Sequence, residues 1–220
     1  MNKRYDILQS ISQGEDGTLS KENEDLVHVA NIIAGAADDS RTNETKSRSC
    51  SYDGITINEL EQRRAEQWAK ENNCWLPMKN IFQLGTPGPS GSESDTYISS
   101  DPYIYKTNNL MHCGGSIFLA LKKFIDYNFL FPDSSYTFIG FAGFDGRSVY
   151  PVVRQNYIKD CVPATQNEID CYMAALGFVK DDVGKFHNDQ YNVSDVLPKN
   201  VLKDSTGDFF VIDVEIKDRE

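Results

Sequence analysis

The chain has 220 residues, 40% hydrophobic and 11% aromatic, with a net charge of −11 and a pI near 4.7. That length carries one domain with a sizeable core, or two small lobes sharing a cleft. The charge argues against nucleic acid or an anionic membrane as a partner, and no run approaches the ~20 apolar residues that span a bilayer.

Met1-Asn2-Lys3-Arg4-Tyr5-Asp6 is followed by no apolar stretch, so no secretory signal is expected. Cys50, Cys74, Cys113, Cys161 and Cys171 contain no C-x-x-C pair, and His28, His112 and His187 are scattered. A zinc knot or disulfide framework is therefore not expected, and a reducing cytoplasm fits best.

Residues 1–54 are read as a polar, largely flexible leader. Within it Leu26, Val27, Val29, Ala30, Ile32 and Ile33 suggest one docking helix between Asp25 and Ala37, and Asp38 to Asp53 reads as loop. Thr56 to Asn73 is expected to be a bracing helix, with Asn58 as N-cap, Glu61 completing a capping box, and Leu60, Ala65, Trp68 and Ala69 as its apolar stripe. Trp75 to Phe82 reads as a strand.

Leu84 to Ile98 is a loop rich in Gly, Ser and Pro between strand-like ends. It is either a plain hairpin or a loop whose backbone N–H groups approach phosphate. Thr96 to Lys106 forms a hairpin around Ser99-Ser100-Asp101-Pro102. Lys106 is either an exposed strand-end lysine or a point charge for phosphate oxygens.

Ser116 to Tyr127 is expected to be a helix, with Ile117, Leu121, Phe124 and Ile125 on one side. Strands over Tyr136 to Phe144 and Ser148 to Tyr157 flank Asp145-Gly146-Arg147, and Pro151 suggests an edge strand or an irregular exit. Pro163 to Phe178 holds a second helix, with Thr165 and Glu168 as capping box and Gly177 as its stop. Cys171 is read as a helix residue. Residues 180–192 read as loop.

The chain then runs Asp195-Val196-Leu197-Pro198-Lys199-Asn200, with Asp213 thirteen residues on, inside an apolar run. Two acids and an amide in this pattern could hold Mg²⁺ over a phosphate, since magnesium takes hard oxygen ligands. The alternative is two surface acids around an ordinary hairpin.

Taken together, the order of these segments resembles the protein-kinase-like fold. It resembles more closely the compact kinase-like domains of polyvalent proteins of bacterial mobile elements and phages. The phrases that carry it are Gly91 to Tyr97, Ile104-Tyr105-Lys106, Gly143 to Val152 and Asp195 to Asn200. The resemblance spans about residues 60–217. It implies an α+β fold with an antiparallel β-rich N-lobe over 55–159 and a reduced helical, truncated C-lobe over 160–220.

It also assigns roles. Lys106 would bind the α/β-phosphates of ATP, beneath the backbone of Gly91, Ser92, Glu93 and Ser94. Arg154 to Ile158, with Gln155 and Tyr157, would be the hinge that holds adenine. Asp195 would be the catalytic acid/base, with Asn200 and Asp213 on Mg²⁺.

Departures from the family pattern are specific. Val193 and Ser194 precede Asp195, where His is usual two residues before the acid. Val214-Glu215 follows Asp213, and Glu215 is a candidate extra metal or structural ligand. The helix after Lys106 has no Glu, which leaves Asp126 or the loop residue Glu93 to pair with the lysine. No activation-loop-like or large helical segment follows Asp213.

The expected activity is ATP/Mg-dependent phosphotransfer to a Ser, Thr or Tyr hydroxyl. The alternatives are a catalytically silent kinase-like binding module, or an α+β interaction domain with coincidental motifs. The expected partners are a nucleotide and either a protein substrate or a partner chain completing the C-lobe.

Overall fold

The computed structural model describes residues 20–46 and 55–219. Residues 1–19 and 47–54, with Cys50 and part of the leader, lie outside the described residues. The chain divides into two compact units. The first takes in the described residues up to Phe129 together with Tyr136–Asn156, and the second is Leu130–Ser135 with Tyr157–Glu220. The fold is α+β, with mixed sheets.

In the first unit, helix α1 (Lys21–Lys46) buries Leu26, Val29, Ala30, Ile33 and Ala34 completely. Their i, i+3, i+4, i+7, i+8 spacing makes one continuous face. The helix runs well beyond the apolar cluster, so the loop expected from Asp38 is helical as far as Lys46. Strong helix formers such as Arg41, Glu44 and Lys46 continue it where no Gly or Pro intervenes.

Helix α2 (Ile57–Glu71) packs beside α1, and its Ala65 and Ala69 are fully buried. Arg64 adds a guanidinium bond to the Ile32 carbonyl at 2.9 Å. The cap of α2 differs from the sequence expectation. Thr56 is the N-cap and Glu59 its reciprocal partner. Asn58 instead donates to the Gly114 carbonyl at 2.8 Å. Both Thr56/Glu59 and Asn58/Glu61 satisfy the capping-box spacing, and the tertiary partners of Asn58 and Glu61 decide between them.

The first unit holds a six-stranded sheet in the order β1-β5-β6-β4-β3-β2. Its strands are β1 (Trp75–Pro77), β2 (Thr86–Pro87), β3 (Ser94–Ile98), β4 (Tyr103–Asn108), β5 (Thr137–Phe144) and β6 (Ser148–Asn156). Only β1 pairs in parallel. Trp75 to Phe82 is not one strand: Met78–Leu84 turns into a 3-10 helix. That helix places Ile81 against Tyr97, Ala142 and Val152. Trp68 of α2 meets Phe138 and Phe141 of β5 at ring distances of 6.0 and 6.3 Å.

Pro151 lies in an interior strand, since β6 is flanked by β5 and β4. Its partner Phe141 sends its N–H to Cys74, away from β6. The pair is therefore of the type without mutual hydrogen bonds, and the missing proline N–H falls on the β4 side. The β4 ladder ends there, at Val152, so no ladder bond is lost.

Helix α3 (Ile117–Leu130) follows β4 and is buried over most of its length. Ser116 caps it by accepting the Leu119 N–H at 3.2 Å.

The second unit has one α-helix, α4 (Gln166–Ala175), with the expected Thr165/Glu168 capping box. Strands supply the rest. Residues 180–192 are not loop. They carry parts of β8 (Val179–Asp182), β9 (Lys185–His187) and β10 (Tyr191–Ser194), which join β13 (Glu215–Asp218) in the order β13-β10-β9-β8. Alternation is visible only at Phe186, Tyr191 and Val193, which are buried between polar neighbours. A three-stranded sheet joins β7 (Val162–Pro163), β11 (Val201–Lys203) and β12 (Phe209–Val211). Tyr172 of α4 stacks on Phe209 at 5.2 Å, and burial pushes its phenol up to about 12.

Candidate functional site

The sequence-derived residues fall into both units, with Lys106, Gly91–Ser94 and Gln155 in the first and Tyr157, Asp195, Asn200 and Asp213 in the second.

In the first unit, Lys106 sits mid-strand, opposite Thr96 of β3 and Val153 of β6. Its ammonium donates to the Tyr136 hydroxyl at 3.0 Å and lies 5.0 Å from the same ring's centroid. Tyr136 is itself held tightly. The Asn128 side chain bonds its N–H at 2.7 Å and its carbonyl at 2.8 Å, and the rings of Phe124 and Tyr127 pack at 5.2 and 4.5 Å. A rigid partner of this kind fixes where a flexible lysine ends. Sequence reasoning missed Tyr136, because an aromatic residue opening a strand is common.

The loop before β3 is a tight tip, closed by a bond from the Gly91 N–H to the Ser94 carbonyl at 3.1 Å. A Cβ at Gly91 would meet nothing within 4 Å, so the loop is open on that side. Glu93 does not pair with Lys106. Its carboxylate takes Lys123 of α3 at 2.5 and 2.7 Å and the Asn108 amide at 3.3 Å. Asp126 bonds Lys122, one turn away on α3, at 2.7 Å, with both side chains buried.

Glu61, expected to complete a capping box with Asn58, is used across helices instead. It is fully buried and accepts from the Ser116 hydroxyl at 2.9 Å and the Phe118 N–H at 3.2 Å. A carboxylate from α2 thus completes the N-terminus of α3, where free N–H groups favour an anion.

Gln155 lies inside β6, opposite Ile104, and its amide reaches the Tyr127 hydroxyl at 3.2 Å. Tyr157 of the second unit is the first residue after β6 and is exposed.

In the second unit, the structure brings Asp195 and Asn200 together. The Asn200 amide donates to both the carbonyl and Oδ2 of Asp195, each at 2.8 Å. Both acceptors are oxygens that cannot donate in return, which fixes the amide's orientation and leaves its own Oδ1 pointing elsewhere. Asp195 has φ 61°, a left-handed conformation that Asp tolerates better than most side chains. Asn200 holds it there. Lys199 adds a bond to the same Oδ2 at 2.9 Å, so Oδ1 of Asp195 is unengaged among the described residues.

The Asn200 carbonyl accepts the Ile212 N–H at 2.9 Å. That bond ties the loop to the residue preceding Asp213. Asp213 is exposed at the bend between β12 and β13, with no bond or ion pair among the described residues. Glu215 does not join it, since its carboxylate accepts from Ser194 at 3.3 Å and pairs with Lys217 at 3.2 Å. Val193, in the position two before Asp195, is buried in β10.

The family model for Ser/Thr/Tyr kinases found in polyvalent proteins matches residues 58–219. The chain belongs to this kinase family. The match takes in every residue of both half-sites. No curated protein and no solved structure matches the chain significantly. Among the described residues of this kinase-family chain, no helix is long and apolar enough to cross a membrane, and no group of three His, Cys, Asp or Glu residues could hold a metal. A divalent ion would therefore need amide, water or phosphate oxygens beside a carboxylate.

Proposed function

We propose that this protein is an ATP- and Mg²⁺-dependent phosphotransferase acting on a hydroxyl. The observation that carries the reading is the Asn200 amide clamped on Asp195, with Asp195 held in a left-handed turn. Strained backbone held by specific bonds is characteristic of functional loops.

Each residue then has a task its contacts permit. Asp195 keeps Oδ2 fixed by Asn200 and Lys199, and Oδ1 receives the hydroxyl of the substrate and orients it. Oδ1 of Asn200 and the carboxylate of Asp213 are uncommitted hard oxygens among the described residues, a donor set that suits Mg²⁺. The ion, when bound, supplies charge neutralisation of the phosphates. Lys106, aimed by Tyr136, binds phosphate oxygens, and the Gly91–Ser94 backbone lies over them. The hinge runs through Gln155 and Tyr157.

A catalytically silent nucleotide-binding module is the second reading. It is favoured by the sequence of α3, which has no Glu.

A thermal-shift titration with ATP and Mg²⁺ tests the binding common to both. At a hundredfold excess over Kd the gain is about 2.7 kcal/mol, or about 5–11 °C at about 2–4 °C per kcal/mol. Absence of any shift sinks both readings. Phosphoryl transfer that is lost in Asp195→Ala and Asp213→Asn selects the enzyme. Transfer that survives both substitutions shows the assignment to be wrong.

A further inference from the structure

The loop tip over Gly91–Ser94 is fastened from two sides. From the end of β4, the Asn109 side chain donates to the Ser92 carbonyl at 2.8 Å, its N–H donates to the Glu93 carbonyl at 2.9 Å, and Asn108 reaches the Glu93 carboxylate. From α3, Lys123 grips both carboxylate oxygens of Glu93. The two side chains are only 16% and 20% exposed. Surface ion pairs contribute little, but a pair mostly withdrawn from water interacts through a lower dielectric.

Glu93 poses an electrostatic problem for the nucleotide-binding reading, on which this inference rests. A bare carboxylate in a loop that lies over phosphates repels them. Lys123 is placed to cancel that charge. Its neighbour Lys122 is turned to Asp126, so the two consecutive lysines serve different partners.

We propose that Glu93 and Lys123 are a positioning pair: Lys123 neutralises Glu93 and pins the Gly91–Ser94 tip to α3 in the shape that receives the nucleotide's phosphates. Neither side chain touches phosphate. The pair makes phosphate affinity depend on the placement of α3, and it leaves recognition of the base and sugar alone.

The test compares ATP with adenosine on the full chain, by calorimetry, for wild type, Lys123→Met, Glu93→Gln and the double variant. Lys123→Gln serves as a second lysine variant should Met unfold the helix. Lys123→Met lowers ATP affinity about tenfold, the effect of one uncancelled charge near the phosphates, while adenosine affinity stays within about twofold. Adding Glu93→Gln to Lys123→Met restores part of the ATP affinity, because the unpaired carboxylate is gone.

Three results overturn the proposal while wild type still binds ATP. A double variant no better than Lys123→Met means that Lys123 contacts phosphate directly. Tighter ATP binding by Glu93→Gln means that the glutamate holds the lysine back. Equal losses for ATP and adenosine mean general damage to the fold. A wild-type chain that binds no ATP removes the nucleotide reading itself, and this inference with it.

Discussion

Replacing Glu61 by Ala tests whether the junction of α2 and α3 has the architecture described. The carboxylate is fully buried and accepts hydrogen bonds from the Ser116 hydroxyl and the Phe118 N–H. A hydrogen bond to a charged group contributes about 1.5–3 kcal/mol, and a donor left buried without an acceptor costs about as much. Alanine removes both of these bonds. The loss should be about 3 kcal/mol, taking the low end for each bond. For a chain of this length that corresponds to a Tm lower by about 6–12 °C. Glu61→Gln keeps an acceptor in the same place and should lose about a third as much. Thermal unfolding followed by circular dichroism reads both. A Glu61→Ala protein melting within about 2 °C of wild type, well under the change worked from these bonds, would refute the argument that Glu61 completes the α3 N-terminus.

Three further expectations rest on separate contacts. A Cβ at Gly140 would fall 2.2 Å from the Cys74 carbonyl oxygen, at φ 147°. Gly140→Ala should therefore cost about 3 kcal/mol or more by denaturant unfolding, and a loss under about 1 kcal/mol would mean that the β1–β5 approach is looser than described. Glu168 is held down from 4.5 to about 2, chiefly by Lys203, then by Thr165. Its folded value is depressed, so its contribution is fully present above 4.5 and is lost as pH falls towards about 2. Lys203→Met should flatten the fall of Tm over that window, and an unchanged acid limb would show that the pair is inactive. Asn200→Ala removes two hydrogen bonds from an exposed Asp195, where water replaces part of them. It should cost about 1–2 kcal/mol of stability yet abolish the extra thermal shift that Mg²⁺ adds to ATP. A full Mg²⁺-dependent shift in that variant would exclude Asn200 as a metal ligand.

Much of this fold was legible where a local signal had no rival. The Thr165/Glu168 box, the Asp145-Gly146-Arg147 hairpin and the Lys106 hairpin all formed at the expected positions. The sequence misled where two local answers competed or where tertiary pairing decided. Thr56/Glu59 and Asn58/Glu61 have identical spacing, and only the approach of Gly114, Ser116 and Phe118 shows that Asn58 and Glu61 are used across helices. Residues 180–192 are polar enough to read as loop, yet they pair because β10 offers hydrogen bonds on both edges, to β9 and β13. Pro151 is permitted in an interior strand because the β4–β6 ladder ends at Val152, one residue short of it.

The candidate site follows the same division. Asp195 and Asn200 are five residues apart and could be read together, and the structure joins them directly. Glu93 and Lys123 are thirty residues apart, on a loop and a helix, and neither has a spacing that announces the other. The same is true of Lys106 and Tyr136. What a linear motif conveys is the group that meets the phosphate or the metal. What it omits is the partner that fixes that group's position, since such a partner needs only to arrive within about 3 Å and can come from any element. In this chain those partners are Tyr136 and Lys123. The sharpest tests of the phosphotransfer reading therefore lie in residues that no motif contains.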